Sequence, residues 1–440
     1  MTQNADMREA ESRWSGDRWP DDRWKDGGDL RWLYLDMNSY FASCAQQDES
    51  AIRNRPVIVV PVMSDYTCAI AASQEAKALG VRTGTQVKDA KERIPGLIIR
   101  EARPDRYVEL HNKILEQVDY VIPVEKVCSI DEVACRLMGP QQLEAPARAL
   151  GHRIQRRILE NVGECLTASI GIAPSRLLAK TAADMKKPLG LTVLRQDELP
   201  GALLNLEIDD FAGIGRSMGK RLNAVGVETV RQLWEMSPSR MRQVWRGIMG
   251  ENFWYSLHGI DPPEIETKRA SITHGHVLAQ ELRPVEHARG VARRLTAKCG
   301  SRLRRMGYKC GGLHLYVRGT GGERLEAASR FAVTSDSFHM LMAADDLWAQ
   351  CARKLKAPRV KQIVVTCLSL VEADAKPDLF GWTPGGEEDG RHMSLLSALD
   401  SINQKFGKDK VTIGPPTKMH GFVGAKIAFN RIPEQPEFWE

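Results

Sequence analysis

The chain reads WLYLDMNSYFASC over residues 32–44. Its apolar run, Trp32–Leu35, stops at Asp36, and a short apolar run of this kind is typical of a buried β-strand. The acidic residue that follows is then placed at the end of the strand. This stretch therefore predicts a sheet with a carboxylate at the end of one of its strands.

A second acidic stretch, SIDE, covers residues 129–132. The residues from Val124 to Leu137 indicate two strands around it, which puts Asp131 and Glu132 at or near the turn of a hairpin. Strand ends converge easily on one face of a sheet, so both acids can meet Asp36. On spacing alone, the alternative that these are ordinary acidic turn residues stays open.

Three neighbouring carboxylates repel one another and raise each other's pKa values unless cations lie among them. Mg²⁺ binds in proteins through a few carboxylates together with substrate phosphates. Two such ions can clamp an in-line phosphoryl displacement, one at the attacking oxygen and one at the phosphates. Asp36, Asp131 and Glu132 are therefore candidate metal ligands and catalytic residues.

The bulk composition bounds the class of protein. A length of 440 residues predicts two to four domains, and 42% hydrophobic residues suffice for packed cores. No apolar run reaches about 18 residues and the N-terminus is polar, so we expect a cytoplasmic protein without a membrane partner. Nine cysteines without a C-x-x-C pair predict reduced, buried thiols and no zinc site.

Further patterns predict an α+β organisation around a mostly antiparallel sheet. Residues 206–263 are helical and turn-rich, and residues 268–371 form a second α+β unit. The predicted helix Val285–Met306 carries apolar residues at spacings of three and four, which places them on one face. The shorter predicted elements are strands over 56–60 and 313–317, helices over 73–80, 105–120 and 394–406, and a linker rich in Gly and acid over 381–391.

Positive charge is concentrated in one segment. Residues 283–318 contain ten Lys and Arg but a single acid, Glu286, which gives a local balance of +9 against +6 for the whole chain. Such a segment is typical of proteins that bind polyanions. A solvated helix face would also explain the charge run, and on charge alone that alternative stays open.

Four motifs resemble those of the Y-family (translesion) DNA polymerases of the UmuC/DinB-like kind, in the family's order and spacing. The resemblance covers roughly residues 31–370, and the C-terminal stretch is closest to the UmuC-like branch. The motifs are DMNSYFASC at 36–44, SIDE at 129–132, GIA, LAK and ADMKKPLG within 171–190, and GIG at 213–215.

The resemblance implies a right-hand polymerase fold and template-directed, low-fidelity DNA synthesis past lesions, without proofreading. Primer-template DNA and dNTPs are the implied substrates, and two Mg²⁺ ions, replaceable by Mn²⁺, are the implied cofactors. The implied domains are a disordered tail over 1–30, a palm over 31–200 with fingers inserted at about 45–104, a thumb with a helix-hairpin-helix over 201–266, a little finger over 267–375, and a linker and C-terminal tail over 376–440.

The resemblance also assigns roles by position. Asp36, Asp131 and Glu132 match the metal ligands, and the backbone carbonyl of Met37 matches a further one. Phe41 matches the steric gate, an aromatic side chain that lies where a ribose 2′-hydroxyl would project. The remaining positions of the implied nucleotide pocket are Asn38, Ser39, Tyr40 and Lys187, the last reaching the triphosphate.

The fingers depart from the family's pattern. Much of the family binds the phosphates with a Tyr and an Arg three residues apart, and here Gln74 and Lys77 stand at these positions. Lysine serves as a point charge but not as a bidentate fork, so we expect Lys77 to contact the triphosphate. Gln can donate a hydrogen bond but cannot stack, which puts the role of Gln74 in doubt.

Two regions are predicted to bind the DNA backbone irrespective of base sequence. In the turn Gly213–Gly215, glycines let backbone N–H groups approach a phosphate at a helix N-terminus, with Lys220 just beyond. A glycine turn that only packs helices is the alternative. The basic segment supplies the second set of predicted phosphate contacts, namely Arg289, Arg293, Arg302 and Arg305.

The resemblance further suggests protein partners, a sliding clamp and SOS-type accessory proteins. In the stretch PDLF at 377–380, Leu379 and Phe380 are the candidate clamp-binding pair, although the glutamine usual upstream is absent. Two alternatives stay open: this pair closes the core of the preceding domain, or the tryptophans of the tail over 1–30 are the docking site.

Three functions compete at this point. The chain is an active translesion polymerase, a non-catalytic relative that binds DNA and clamp as a scaffold, or a nucleotide cyclase or other palm-type enzyme that does not use DNA. The presence of all three carboxylates disfavours the scaffold, and the GIG turn and basic segment disfavour the cyclase.

Overall fold

The computed structural model describes residues 30–264, 268–373, 390–406, 410–414 and 432. Its residues form two compact units, one reaching to Glu264 and the other covering the described residues from 268 to 414. None of the described helices is both long enough and apolar enough to cross a lipid bilayer.

The first unit contains both strands and helices, and its last four helices follow one another without a strand between them. Its strands are β1 (Trp32–Met37), β2 (Val57–Val60), β3 (Ala71–Ala72), β4 (Ile98–Glu101), β5 (Val124–Val127), β6 (Glu132–Arg136), β7 (Ala168–Ala173) and β8 (Leu191–Val193). Its helices are α1 (Tyr40–Asp48), α2 (Gln74–Ala78), α3 (Val87–Arg93), α4 (Pro104–Asp119), α5 (Glu144–Asn161), α6 (Arg176–Met185), α7 (Arg216–Asn223), α8 (Val230–Trp234), α9 (Pro238–Trp245) and α10 (Ile248–Leu257).

Strand β1 lies in the middle of a five-stranded sheet of order β5-β6-β1-β7-β8. All neighbours pair antiparallel except β7 and β8, which confirms the predicted mostly antiparallel sheet. Successive side chains of a strand point to opposite faces, so β1 contributes to two cores. Leu33 and Leu35 pack with α4 and α5, whereas Trp32 and Tyr34 pack with α6 and with the helices that follow it.

A smaller sheet of order β3-β2-β4 lies within the same unit and has its own core. Strand β2 is a continuous apolar run because all four of its residues are buried. The predicted helix over 73–80 is α2, which Ser73 caps by accepting a hydrogen bond from the N–H of Ala76. Gly80, at a φ of 82°, follows it and allows the turn.

The second unit is a four-stranded sheet of order β11-β10-β12-β9, antiparallel throughout. Helices α11 and α12 pack on one of its faces. Its strands are β9 (Ile272–Val277), β10 (Tyr308–Gly319), β11 (Arg324–Thr334) and β12 (Val360–Glu372), and its helices are α11 (Val285–Arg305), α12 (Ser337–Ala352) and α13 (Gly390–Phe406).

The predicted apolar stripe of the long helix is confirmed. Ala288, Ala292, Leu295, Cys299 and Leu303 are all buried in α11 against the sheet. All nine cysteines of the chain are free thiols, as predicted. Six are also buried as predicted, whereas Cys68, Cys128 and Cys165 are half-buried.

The end of the chain differs from prediction. Helix α13 begins at Gly390, within the stretch predicted to be a linker and earlier than the predicted start at Ser394. His392 explains the earlier start, because its Nδ1 lies 2.9 Å from a carboxylate oxygen of Asp336 and its ring packs on Phe338. These contacts hold the first turn of α13 on the rest of the unit. The predicted strand over 313–317 is likewise only the central part of β10.

Candidate active site

Backbone pairing brings the three predicted acids together. In the register of β1 and β6, Asp36 lies directly opposite Glu132. The N–H of Met37 donates to the carbonyl oxygen of Asp131 at 2.9 Å, which holds the turn between β5 and β6 against the end of β1. Like charges directly opposite each other destabilise a sheet, so this arrangement requires a cation.

Two lysines of the third motif supply positive charge to these acids. The Lys180 ammonium contacts Asp36, and it lies 2.6 Å from Glu132 Oε1. The Lys187 ammonium lies 2.6 Å from Asp36 Oδ1 and 2.7 Å from Asp184 Oδ1. Lys180 carries no role in the sequence-based prediction, and its spacing of four residues from Asp184 on α6 was the available signal.

Asp131 is the acid whose ionisation is disfavoured. Burial, with the charges of Asp36 and Glu132, raises the pKa of its carboxyl group above the usual range, although a hydrogen bond from Ser129 Oγ at 2.5 Å opposes the shift. His111 of α4 is buried and its Nδ1 lies 2.8 Å from the Ile130 carbonyl oxygen. Since a carbonyl can only accept, Nδ1 is the donor, and this bond supports the acidic turn from behind.

The chemistry of the donor set fits a divalent cation. Lys180 Nζ touches one oxygen of Asp36 and one of Glu132, so a single positive charge can be bound by both carboxylates at once. Among the residues that the structure describes, no three His, Cys, Asp or Glu side chains are already gathered in the geometry of a metal site. The Lys180 ammonium instead lies between Asp36 and Glu132.

The predicted steric gate is held by a second aromatic ring. Phe41, on the first turn of α1, stacks on Tyr107 of α4 with ring centroids 4.3 Å apart and planes 15° apart. The hydroxyl of Tyr40 donates to the Tyr107 carbonyl oxygen at 2.6 Å. Tyr107 was missed by the sequence reasoning because no local pattern relates it to residues 66 positions earlier in the chain.

Asn38 and Ser39 shape the backbone of this pocket. Asn38 is buried and bonds through its side chain to Thr167 and Ser169 of the neighbouring strand region, at 3.1 and 2.9 Å. Ser39 is in the left-handed region at a φ of 51°, and its Oγ accepts a hydrogen bond from Gln74 Nε2 at 3.1 Å. Gln74, at the start of α2, thus contacts the residue that precedes α1.

Lys77 lies in the same neighbourhood as Lys187. Burial and the positive charge of Lys187 lower the pKa of the Lys77 amine, and the charge of Asp36 acts in the opposite direction. The two ammonium groups repel each other beside an acidic cluster, and a bound polyphosphate would reduce that repulsion.

The turn Gly213–Gly215 leads directly into α7, with Gly215 as the residue before the helix. Gly213 has a φ of 95°, which only glycine adopts readily. A Cβ added at either glycine would meet nothing within 4 Å, so the backbone here is open to an approaching group. Lys220 is exposed on α7.

The predicted arginines of α11 are not equivalent. Arg289 Nε lies 3.0 Å from Asp345 of α12, and Arg293 contacts the same carboxylate. Both guanidinium groups therefore already have an acidic partner in the folded unit. Arg302 is half-buried and Arg305 is exposed, and each has interactions of its own.

The sheet of the second unit presents a further basic surface that the prediction missed. Leu313, Leu315 and Val317 of β10 face the helices, so the intervening side chains point to the other face. Arg318 is paired directly opposite Arg324 of β11, and Arg330 of β11 lies opposite Gly312. The alternation of polar and apolar residues along β10 was the signal for this surface. We call His314, Tyr316, Arg318, Arg324 and Arg330 the open basic face. One acid lies on it as well, Glu326, which is opposite Tyr316 and 3.6 Å from His314 Nε2.

Leu379 and Phe380, the predicted clamp-binding pair, lie outside the described residues, as does the tryptophan-bearing tail.

The chain is similar to several known proteins. Residues 35–184 match the model of the impB/mucB/samB family, and residues 269–378 match that of the family's C-terminal domain. DNA polymerase IV of Bacillus velezensis is 28% identical over 418 residues, covering 90% of this chain and 96% of that protein. DNA polymerase IV of Moorella thermoacetica is 33% identical over 287 residues, covering 64% and 71%. The fold is similar to that of a solved Y-family DNA polymerase chimera, Dbh-Dpo4(243-245)-Dbh, with a TM-score of 0.66 and 22% identity, covering 78% of this chain and 99% of that one.

Proposed function

Since the chain belongs to the impB/mucB/samB family of Y-family DNA polymerases, we propose that its catalytic residues are Asp36, Asp131 and Glu132. It is a DNA-directed DNA polymerase of the translesion type, and enzymes of this family depend on divalent metal. We also propose that two Mg²⁺ ions bind to these acids.

The acidic cluster is proposed to hold the metal ions. Asp36, Asp131, Glu132 and the backbone carbonyl of Met37 would supply the oxygen ligands that Mg²⁺ prefers. When bound, the ions lower the pKa of the primer 3′-hydroxyl and neutralise charge on the triphosphate. The observation that carries the proposal is the register that sets Asp36 opposite Glu132 with Asp131 bonded to the next residue of β1.

The chain's own cations are proposed to bind the triphosphate. Lys77 and Lys187 lie close enough for the charge of one to lower the pKa of the other, and phosphate oxygens between them would remove that repulsion. Gln74 is proposed to act indirectly, by holding Ser39 Oγ. Phe41, stacked on Tyr107, is proposed to exclude ribonucleotides.

The domain assignment follows the family. We assign residues 31–200 to the palm, with the small sheet of β2, β3 and β4 in the fingers, residues 201–266 to the thumb, and residues 267–375 to the little finger. Separate cores of the two sheets in the first unit support the palm and fingers assignment.

DNA is proposed to contact each unit through open, sequence-independent sites. In the first unit, these are the backbone N–H groups around Gly213 and Gly215, with Lys220. In the second unit, we propose that the open basic face binds the DNA backbone in preference to Arg289 and Arg293. Arg318 and Arg324 lie opposite each other and repel, so a polyanion bound between them would be favoured. Arg302 and Arg305 remain candidates at the end of α11.

A sliding clamp remains a proposed partner, with Leu379 and Phe380 as its binding pair, and SOS-type accessory proteins are proposed on the resemblance alone. Tethering raises the concentration of a polymerase at the primer end. In a titration of purified clamp, a Leu379→Ala/Phe380→Ala protein should bind more weakly than wild type. Equal binding would assign docking elsewhere, and loss of binding on deletion of residues 1–28 would assign it to the tail.

Primer extension with Mg²⁺, on undamaged and abasic templates, tests the catalytic assignment. Asp36→Asn and Asp131→Asn/Glu132→Gln should abolish extension while DNA binding stays near wild type, since the proposed phosphate contacts lie elsewhere. Glu125→Gln is the matched control, because Glu125 is exposed on the same hairpin. Retained extension in either acidic-cluster variant would refute the assignment, and a wild-type protein that binds DNA but extends nothing would favour the scaffold instead.

A further inference from the structure

Lys180 occupies the centre of the acidic cluster. It lies on α6, and its ammonium contacts Asp36, lies 2.6 Å from Glu132 and lies 3.3 Å from Asp184 Oδ2. The ring of Tyr34 adds a fourth neighbour, with its centroid 5.5 Å from Nζ. Only 16% of the Lys180 side chain is exposed, so this is an internal cation rather than a surface lysine.

Removing the Lys180 ammonium from this position would raise the free energy of the folded protein. Asp36 is buried and faces Glu132 across the sheet, and buried carboxylates require a cation or a proton. The Lys180 ammonium supplies that cation, because it contacts Asp36 and lies 2.6 Å from Glu132 Oε1.

Asp184 is the third acid within reach of the ammonium and already lies 3.3 Å from it. Its Oδ1 pairs with Lys187 at 2.7 Å, and its Oδ2 faces Lys180. Asp184 lies one helical turn after Lys180, where side chains of a helix are neighbours, and about a third of its side chain is exposed. The lysine side chain has four flexible carbon–carbon linkages, so its ammonium can leave Asp36 and Glu132 and keep its pairing with Asp184 without any movement of α6.

We propose that Lys180 is an internal counter-cation that competes with metal for Asp36 and Glu132 and keeps only its pairing with Asp184 when metal binds. The proposal rests on the proposed function, because it takes these carboxylates as the metal ligands. It has two consequences. Lys180 stabilises the metal-free enzyme, and it weakens metal binding, since each metal ion must displace a positive charge.

Thermal unfolding of the full-length protein tests both consequences without any activity measurement. The melting temperature is followed first in chelator and then in a titration with Mg²⁺ and with Mn²⁺, because a ligand of the folded state raises the melting temperature according to its affinity. Calorimetric titration of the same proteins with Mn²⁺ gives the affinity directly.

Three variants give opposed expectations. Lys180→Met should melt lower than wild type in chelator but bind the metal about tenfold more tightly, a factor that corresponds to about 1.4 kcal/mol. Asp184→Asn should bind metal more weakly, because the displaced ammonium has lost its acceptor. Lys186→Met is the matched control, with the same charge change at an exposed neighbouring position, and should leave the metal affinity within about twofold of wild type.

Metal affinity in Lys180→Met that equals or falls below that of wild type overturns the proposal, as does tighter binding in Asp184→Asn. If Lys180→Met does not fold, Lys180→Gln replaces it, and the same calorimetric comparison decides. The proposed function fails on a different result, namely continued primer extension by Asp36→Asn, so the two failures are distinguishable.

Discussion

The stacked pair of Phe41 and Tyr107 leads to a graded prediction for sugar selection. Phe41→Ala removes the ring that would meet a ribose 2′-hydroxyl, and Tyr107→Leu leaves that ring but removes its support. The rings are 4.3 Å apart and nearly parallel. The Tyr40 hydroxyl donates to the backbone carbonyl oxygen of Tyr107, a bond that Tyr107→Leu keeps, so this variant tests the ring alone. Ribonucleotide incorporation should therefore rise in both variants, and more in Phe41→Ala.

The magnitudes follow from the contacts. Forcing an extra group into a packed site costs about 1–3 kcal/mol, so loss of the gate should raise the ratio of ribonucleotide to deoxynucleotide efficiency by about 5- to 150-fold, at about 1.4 kcal/mol per factor of ten. An aromatic pair contributes about 0.5–1.5 kcal/mol beyond its buried area. Tyr107→Leu should therefore relax selection by about 2- to 12-fold.

Single-nucleotide insertion with matched ribo- and deoxynucleotides measures the ratio of kcat/KM values. Tyr120→Leu is the control, since Tyr120 follows the same helix but is 66% exposed. An unchanged ratio in Phe41→Ala would remove its role as the gate. A relaxed Phe41→Ala beside an unchanged Tyr107→Leu would show that stacking does not hold the gate in place.

Three further predictions concern stability and DNA binding. Burial raises the pKa of Asp131 above its unfolded value, so stability that the protonated form provides at low pH is lost as pH rises through the folded pKa. Asp131→Asn should therefore raise the melting temperature of the metal-free protein at pH 7. The gain should shrink as the pH falls towards the ordinary aspartate pKa of about 4. A lower melting temperature of the variant at pH 7 would contradict this prediction. Arg304 is 12% exposed and donates hydrogen bonds to Asp400 at 2.8 and 3.1 Å and to Ser335 and Ser337. Arg304→Met should therefore lower the free energy of unfolding, measured in urea, by about 3 kcal/mol. The control Arg353→Met, at an exposed position, should change it almost not at all. Arg324→Gln/Arg330→Gln should lower the salt-dependence slope of DNA binding by about two units, and Arg289→Gln/Arg293→Gln by less because both pair with Asp345; a reversed order would assign the phosphate contacts to α11.

Much of the fold could be read from local periodicity. The apolar stripe of α11, the strand that ends at Asp36 and the hairpin around Asp131 are all set by the order of apolar and polar residues along a short stretch. A strand buried on both faces has to be a continuous apolar run, and a helix against a sheet has to repeat its apolar residues every three or four positions. The motifs similarly identify the acids, because each motif is contiguous.

The partners of charged residues were decided only by the tertiary structure. The sequence shows that α11 is basic. It does not show that Asp345, 52 residues beyond Arg293, forms ion pairs with two of the arginines of α11. Nor does it show that α13 is fixed to its unit through Asp400 and His392. These contacts join residues far apart in the chain, and an ion pair leaves no periodic trace at either end.

The active site divides in the same way. By itself, the sequence determined which residues are acidic, aromatic or basic and which of them follow a strand. The structure decided that Lys180 lies between Asp36 and Glu132 and that Tyr107 supports Phe41. The physical reason is that periodicity reports which face of an element is buried, whereas the meeting of two side chains depends on how separate elements pack around a common core.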